Sequence, residues 1–159
     1  MKTVILALAA LFFAMPSAAV DQKSYPNARQ SYPFVVKISD FYGAEGFGFD
    51  YYLDKSKLVV VLWDDLGSPR KEVLSKSLTK AEVREWASYL ERLPMGQLKE
   101  SYVNSSVDDG LQQTFTFKSG GREKTVDVRN IRVEELEKLC RKLNLLIPDK
   151  HMRLRVSDG

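Results

Sequence analysis

The stretch Phe47–Trp63, FGFDYYLDKSKLVVVLW, decides the fold. Phe47, Phe49, Tyr51 and Leu53 share one parity, with Gly48, Asp50 and Tyr52 on the other. Successive side chains of a strand point to opposite faces, so this alternation describes a strand with one buried side. Asp54-Lys55-Ser56-Lys57 reads as a four-residue turn. Leu58 to Trp63 returns as a denser apolar strand, β-branched at Val59, Val60 and Val61, which suits a central place in a sheet. Two such runs around a short polar turn make a hairpin. Asp50 falls on the polar parity, where it is a further candidate acid for general acid–base work that a solvated sheet face explains equally well.

Upstream, Tyr32, Phe34, Val36 and Ile38 alternate with Val35, Lys37 and Ser39, which predicts another strand. Phe41-Tyr42-Gly43-Ala44-Glu45-Gly46 reads as a glycine-containing connection. The spacing of Gly43, Gly46 and Gly48 invites comparison with a phosphate loop, but no helix follows and no Lys-Ser/Thr closes it. A turn or bulge beside bulky aromatics accounts for these glycines. Downstream, Asp64 to Arg70 is a loop by composition, and Lys71–Ser77 is a short strand or irregular. Thr79 and Glu82 have the spacing of a helix capping box, with Leu78 and Val83 as its hydrophobic staple. Val83, Trp86, Ala87, Leu90 and Leu93 follow at helical spacing until Pro94 and Gly96.

The second half repeats this grammar. A short strand is expected around Tyr102, and Asp108-Asp109-Gly110 reads as a turn. Leu111, Gln113, Phe115 and Phe117 alternate, Ser119-Gly120-Gly121-Arg122 reverses the chain, and Lys124, Val126 and Val128 return. Val133, Leu136, Leu139, Cys140, Leu143 and Ile147 trace the apolar stripe of a second helix over about 133–145. Met152, Leu154 and Val156 alternate with Arg153 and Arg155, which predicts a final strand at a sheet edge. Hairpins and two helices without alternating strand–helix units predict an α+β fold. The expected architecture is a single, mostly antiparallel sheet of about five or six strands with two helices packed on one face.

The N-terminus carries a different message. Lys2 precedes an apolar run from Val4 to Met15, Pro16 breaks it, and Ser17-Ala18-Ala19 supplies small residues. That layout predicts a secretory signal over residues 1–19, cleaved after Ala19. The run is short for a bilayer span, and no transmembrane segment is expected after cleavage. Residues 20–30 read as a flexible lead-in and 31–159 as a single α+β domain, periplasmic or secreted and monomeric.

Charge and chemistry narrow the function less. The chain has 24 basic and 21 acidic side chains, a net charge of +3. The two signs alternate, as in Arg122-Glu123-Lys124, so the basic footprint of a nucleic-acid binder is missing. Cys140 is the only cysteine and lies on the apolar stripe, where packing outweighs a nucleophilic pairing with His151, the only histidine. The acids Asp64-Asp65 and Asp108-Asp109 suit turns better than a cation site or general acid–base work. No catalytic residue, metal site or cofactor is assigned. Aromatics crowd the first part of the domain, and Tyr42 and Tyr52 are expected at the surface, where such rings give large contact area.

The segments GFGFDYYLDKSKLVVVL, LTKAEV, YVNSSVDDGLQQTFTF and VEELEKLCRKLN, spanning about Phe34 to Leu146, resemble small exported bacterial α+β domains. The shared order is an aromatic and glycine hairpin, a helix opening on a Leu-Thr/Ser-x-x-Glu box, a Tyr…Asp-Gly segment, a second hairpin and a Leu-rich helix. The resemblance implies a fold and an address and carries over no catalytic residue. The expectation is a non-enzymatic protein-binding domain, an inhibitor or immunity-type protein whose partner is another exported or envelope protein, with Tyr42, Tyr52, Arg153 and Arg155 as binding residues. The alternatives are a carboxylate-based envelope enzyme using Asp64, Asp65, Asp108 or Asp109, and a structural envelope domain.

Overall fold

The hairpin at the centre of the sequence forms as the alternation requires. In the computed structural model, which describes residues 33–107 and 110–156, β1 (Phe34–Tyr42) pairs with β2 (Phe47–Asp54) and β2 with β3 (Lys57–Asp64). Leu53 stands opposite Leu58, and only Lys55-Ser56 separate the two strand ends. The Asp54 carboxylate organises that turn by accepting from the backbone N–H of Ser56 at 2.7 Å and of Lys57 at 3.0 Å. β4 (Lys71–Ser77) follows, then α1 (Lys80–Arg92), β5 (Ser101–Val103), β6 (Leu111–Ser119), β7 (Arg122–Arg129) and α2 (Glu134–Asn144). The sheet has seven strands in the order β4-β3-β2-β1-β6-β7-β5, one or two more than expected. Every pairing is antiparallel except β5 with β7.

One sheet face holds the core. Phe34, Val36 and Ile38 of β1 align with Tyr51 and Leu53 of β2, Leu58 and Val60 of β3, Phe115 and Phe117 of β6, and Val126 and Val128 of β7, all buried. The stripes of both helices close over this face through Trp86, Leu90, Leu136, Leu139, Cys140 and Leu143. α1 opens with the predicted capping box: Thr79 Oγ1 accepts from Glu82 N at 3.2 Å, and the Glu82 carboxylate accepts from Thr79 N at 2.7 Å. All the described residues belong to one compact unit. The signal, the lead-in, Tyr32, Asp108 and Asp109 lie outside the described residues.

Two expectations fail for instructive reasons. Phe41 and Tyr42 are not connection but the end of β1, paired with Gly48 and Phe47. Residues 152–156 do not form an edge strand. They cross the core face as a strap, because side chains instead of a neighbouring strand take their backbone groups. Tyr51 donates its hydroxyl to Met152 O at 2.8 Å, and Asn144 both donates to Leu154 O and accepts from Leu154 N at 2.9 Å. Arg155 reaches Asp40, which is fully buried in the core row of β1, and donates to Oδ1 from Nη2 at 2.7 Å and from Nε at 3.2 Å. Its backbone N–H is 3.3 Å from Asp40 Oδ2, and Gln113, opposite Asp40, donates to Arg155 O at 3.4 Å. The true edges are β5, only three residues long, and β4, which carries Lys71 and Lys76 and pairs with β3 through a bulge at Val60/Val61. Short, bulged and lysine-bearing edges resist pairing with another chain.

Two predictions follow the charges. The Thr79 and Lys76 contacts hold the Glu82 carboxyl down at about 2, from an ordinary 4.5. A depressed carboxyl stabilises the fold fully above its unfolded value and loses that contribution as pH falls through its folded value. Glu82→Gln should therefore lower stability at pH 7 and become indistinguishable from the parent near pH 2 in denaturant melts. Arg155→Met should cost about 3–5 kcal/mol, because it strands a buried carboxylate. The double variant Asp40→Asn/Arg155→Met should recover part of that loss, and equal midpoints for the two variants would refute the assignment.

Candidate functional site

Where β1 passes into β2, the chain makes a single 3-10 turn over Gly43–Glu45. Gly46 closes it at φ 68°, a left-handed geometry that glycine adopts without strain, and its N–H bonds to Tyr42 O at 3.0 Å. This tight return stacks Tyr42 on Phe47, with centroids 4.9 Å apart and planes within 11°. Phe49 meets both rings edge-on, at 6.2 Å and 6.0 Å. With Leu62 and Trp63 these aromatics line a recess of about 520 Å³, whose rim carries Asp64 and His151. Arg155 lies over the Tyr42 ring with its guanidinium carbon 3.9 Å from the centroid, so the strap also buttresses the recess. Burial, helped by the nearby Asp40 charge, pushes the Tyr42 hydroxyl up to about 12 and keeps it protonated at neutral pH.

The opposite sheet face is built around Gly48. A Cβ there would lie 2.7 Å from Trp63 Cζ2 and 2.8 Å from Asp40 O, so glycine alone lets the indole cross β2. Trp63 then stacks on Phe41 at 5.4 Å with planes within 7°. Its Nε1–H donates to Asp50 Oδ1 at 3.1 Å, while Arg70 pairs with the other carboxylate oxygen and lies 5.8 Å above the indole. Asp50 is therefore buried beneath Trp63 and Arg70, and the expectation of a solvated acid is wrong.

The four residues expected to bind are not brought together. Tyr42 stands in the aromatic recess. Arg155 touches Tyr42 but is engaged with Asp40. Tyr52 is exposed on the other face, where its hydroxyl reaches Asp50 at 3.4 Å and Lys37 lies 5.8 Å from its ring. Arg153 is exposed, and its Nε donates to Ile147 O at 3.0 Å. Neither arginine is on a sheet edge. Phe47, Phe49 and Leu62, read from parity as ordinary core, are the recess walls that sequence reasoning missed. The signal for them is the doubled glycine turn at Gly43–Gly46, which folds Phe47 back onto Tyr42.

The remaining chemistry is dispersed. Cys140 is buried, and burial raises its thiol far above the usual range, whereas His151 is exposed on the recess rim. Asp64 Oδ1 accepts from Ser68 N at 3.1 Å, a turn contact that lowers its carboxyl. Asp65 packs against Gly46. Among the described residues no three His, Cys, Asp or Glu are grouped to hold a metal ion, and no helix is long and apolar enough to cross a membrane. The chain matches no protein-family model and no curated protein. Gly48→Ala should destabilise the fold by about 1–3 kcal/mol, the usual cost of forcing extra volume into packed surroundings, and should alter the near-UV dichroism of Trp63. An unchanged spectrum and melt would show that the indole does not depend on the glycine.

Proposed function

We propose that the protein is a non-enzymatic binding domain of the periplasm or the secreted fraction, of inhibitor or immunity type. Its aromatic recess receives an apolar or aromatic side chain of another exported protein. One observation carries the reading. Tyr42, Phe47 and Phe49 surround an open recess of about 520 Å³ next to the charged rim of Asp64 and His151. An apolar floor inside a polar rim is the arrangement in which interface energy concentrates. Strand addition is the poorer route, since the bulge and lysines of β4 guard the long edge. A carboxylate-based enzyme is the second reading, supported by Asp64 and His151 sharing that rim.

A photo-crosslinking residue at position 151 should trap a defined partner in the exported fraction. Phe47→Ala should weaken capture about thirtyfold, the effect of losing a hot-spot side chain, at a temperature where the variant, although its melting midpoint is lowered, is still folded. Tyr52→Ala, on the opposite face, should leave capture unchanged. Capture indifferent to Phe47 would remove the recess from the function. A reaction abolished by Asp64→Asn would instead establish the enzyme.

A further inference from the structure

The face of the sheet away from the helices holds a second concavity with different chemistry. It measures about 220 Å³, and its lining, including Phe41, Trp63, Gln112, Thr114, Asp127 and Arg129, is more polar than apolar. That volume falls below the roughly 300 Å³ at which drug-sized pockets begin, so it suits one small ring. The register explains its construction. Trp63, Gly48, Phe41, Gln112 and Arg129 stand in one row across five strands. The row passes from a stacked indole and phenyl, through a planar amide, to a guanidinium. The adjacent row supplies Ser39, Thr114 and Asp127.

Each part restricts what fits. The indole N–H is committed to Asp50 at 3.1 Å, so Trp63 presents carbon surface to an occupant. Arg129 and Asp127 carry opposite charges that cancel, and Gln112 and Thr114 are neutral, so no net charge selects an ion. Asp127 Oδ1 accepts from Thr114 Oγ1 at 2.8 Å, which leaves its second oxygen to accept from an occupant. Gln112 offers both a donor and an acceptor, and Arg129 offers donors only. These groups lie in the middle of the sheet, where strands are already paired, so an added peptide strand has no free backbone edge to meet. The matching ligand is neutral, rich in hydroxyls around its rim and apolar on one flat side.

We infer that this recess binds a pyranose unit of a glycan, with the C–H face of the ring against the exposed side of the Phe41–Trp63 stack and its equatorial hydroxyls on Gln112, Asp127 and Arg129. Such a ring has the required division between flat apolar face and polar rim. Trp63 borders both recesses, but Phe41, Gln112, Thr114, Asp127 and Arg129 line this one and not the aromatic recess, so the two can be tested apart.

Cellohexaose and chitohexaose, titrated into the purified protein, are the probes, read by heteronuclear NMR. At least one should shift the Trp63 indole N–H and the Gln112 side-chain amide at millimolar concentration. Gln112→Ala and Arg129→Ala, both on the polar half of the row, should each weaken binding about tenfold, the effect of one lost polar contact, with melting unchanged. Phe47→Ala should leave this binding intact. The inference is overturned if neither hexasaccharide moves these resonances, if the shifts fall only on Tyr42, Phe47 and Phe49, or if Gln112→Ala and Arg129→Ala bind like the parent. Equally, a peptide that shifts the Gln112 side-chain amide where both sugars fail would assign the recess to protein.

Discussion

The carboxylate of Asp40 is the constraint around which the molecule is arranged. It stands fully buried in a row otherwise composed of Phe34, Val36 and Ile38. A charge removed from water must be paired and hydrogen-bonded, or its desolvation opposes folding by several kcal/mol. Arg155 supplies the charge, Gln113 fixes the backbone of that arginine, and the strap follows the route these contacts dictate. The same guanidinium then rests on Tyr42 and so forms part of the wall of the aromatic recess. Core, strap and recess are thus coupled through one ion pair, and a change at any of them will be felt at the other two.

The elements with a clean period were legible. Phe47–Leu53, Leu111–Phe117 and the stripe from Val133 to Leu143 fold as their spacing requires, and the Thr79–Glu82 box forms as written. What local pattern could not show was where an element goes. Residues 152–156 alternate as a strand does because Met152, Leu154 and Val156 pack against the core while Arg153 between them is exposed. Alternation reports the buried side of an extended chain, not the identity of its hydrogen-bond partners, which here are Asn144, Tyr51 and Asp40. Asp40 itself lay within reach of the parity argument, since it continues the even row of β1. Asp50 did not, because its burial depends on Trp63 and on Arg70, twenty residues away.

Glycine 48 shows how a missing side chain can organise two faces at once. On one side it leaves room for an indole to span β2 and meet Phe41. That single stack gives the open face an aromatic patch and sets it beside Gln112, the next residue in the row. The aromatic recess on the other face arises from the same segment of chain, two residues earlier, at the turn closed by Gly46. A short glycine-containing stretch therefore shapes two of the domain's concavities.

The strap also has a consequence in time. Asp40 and Arg155 are 115 residues apart, so during vectorial synthesis β1 and its hairpin partners emerge long before their counter-charge exists. β6, the other neighbour of β1, is also late. Contacts this distant in sequence close slowly, and an early hairpin holding an unmatched carboxylate has little to gain from collapsing alone. The nascent chain should therefore complete its core only after Arg155 has emerged, in one cooperative step.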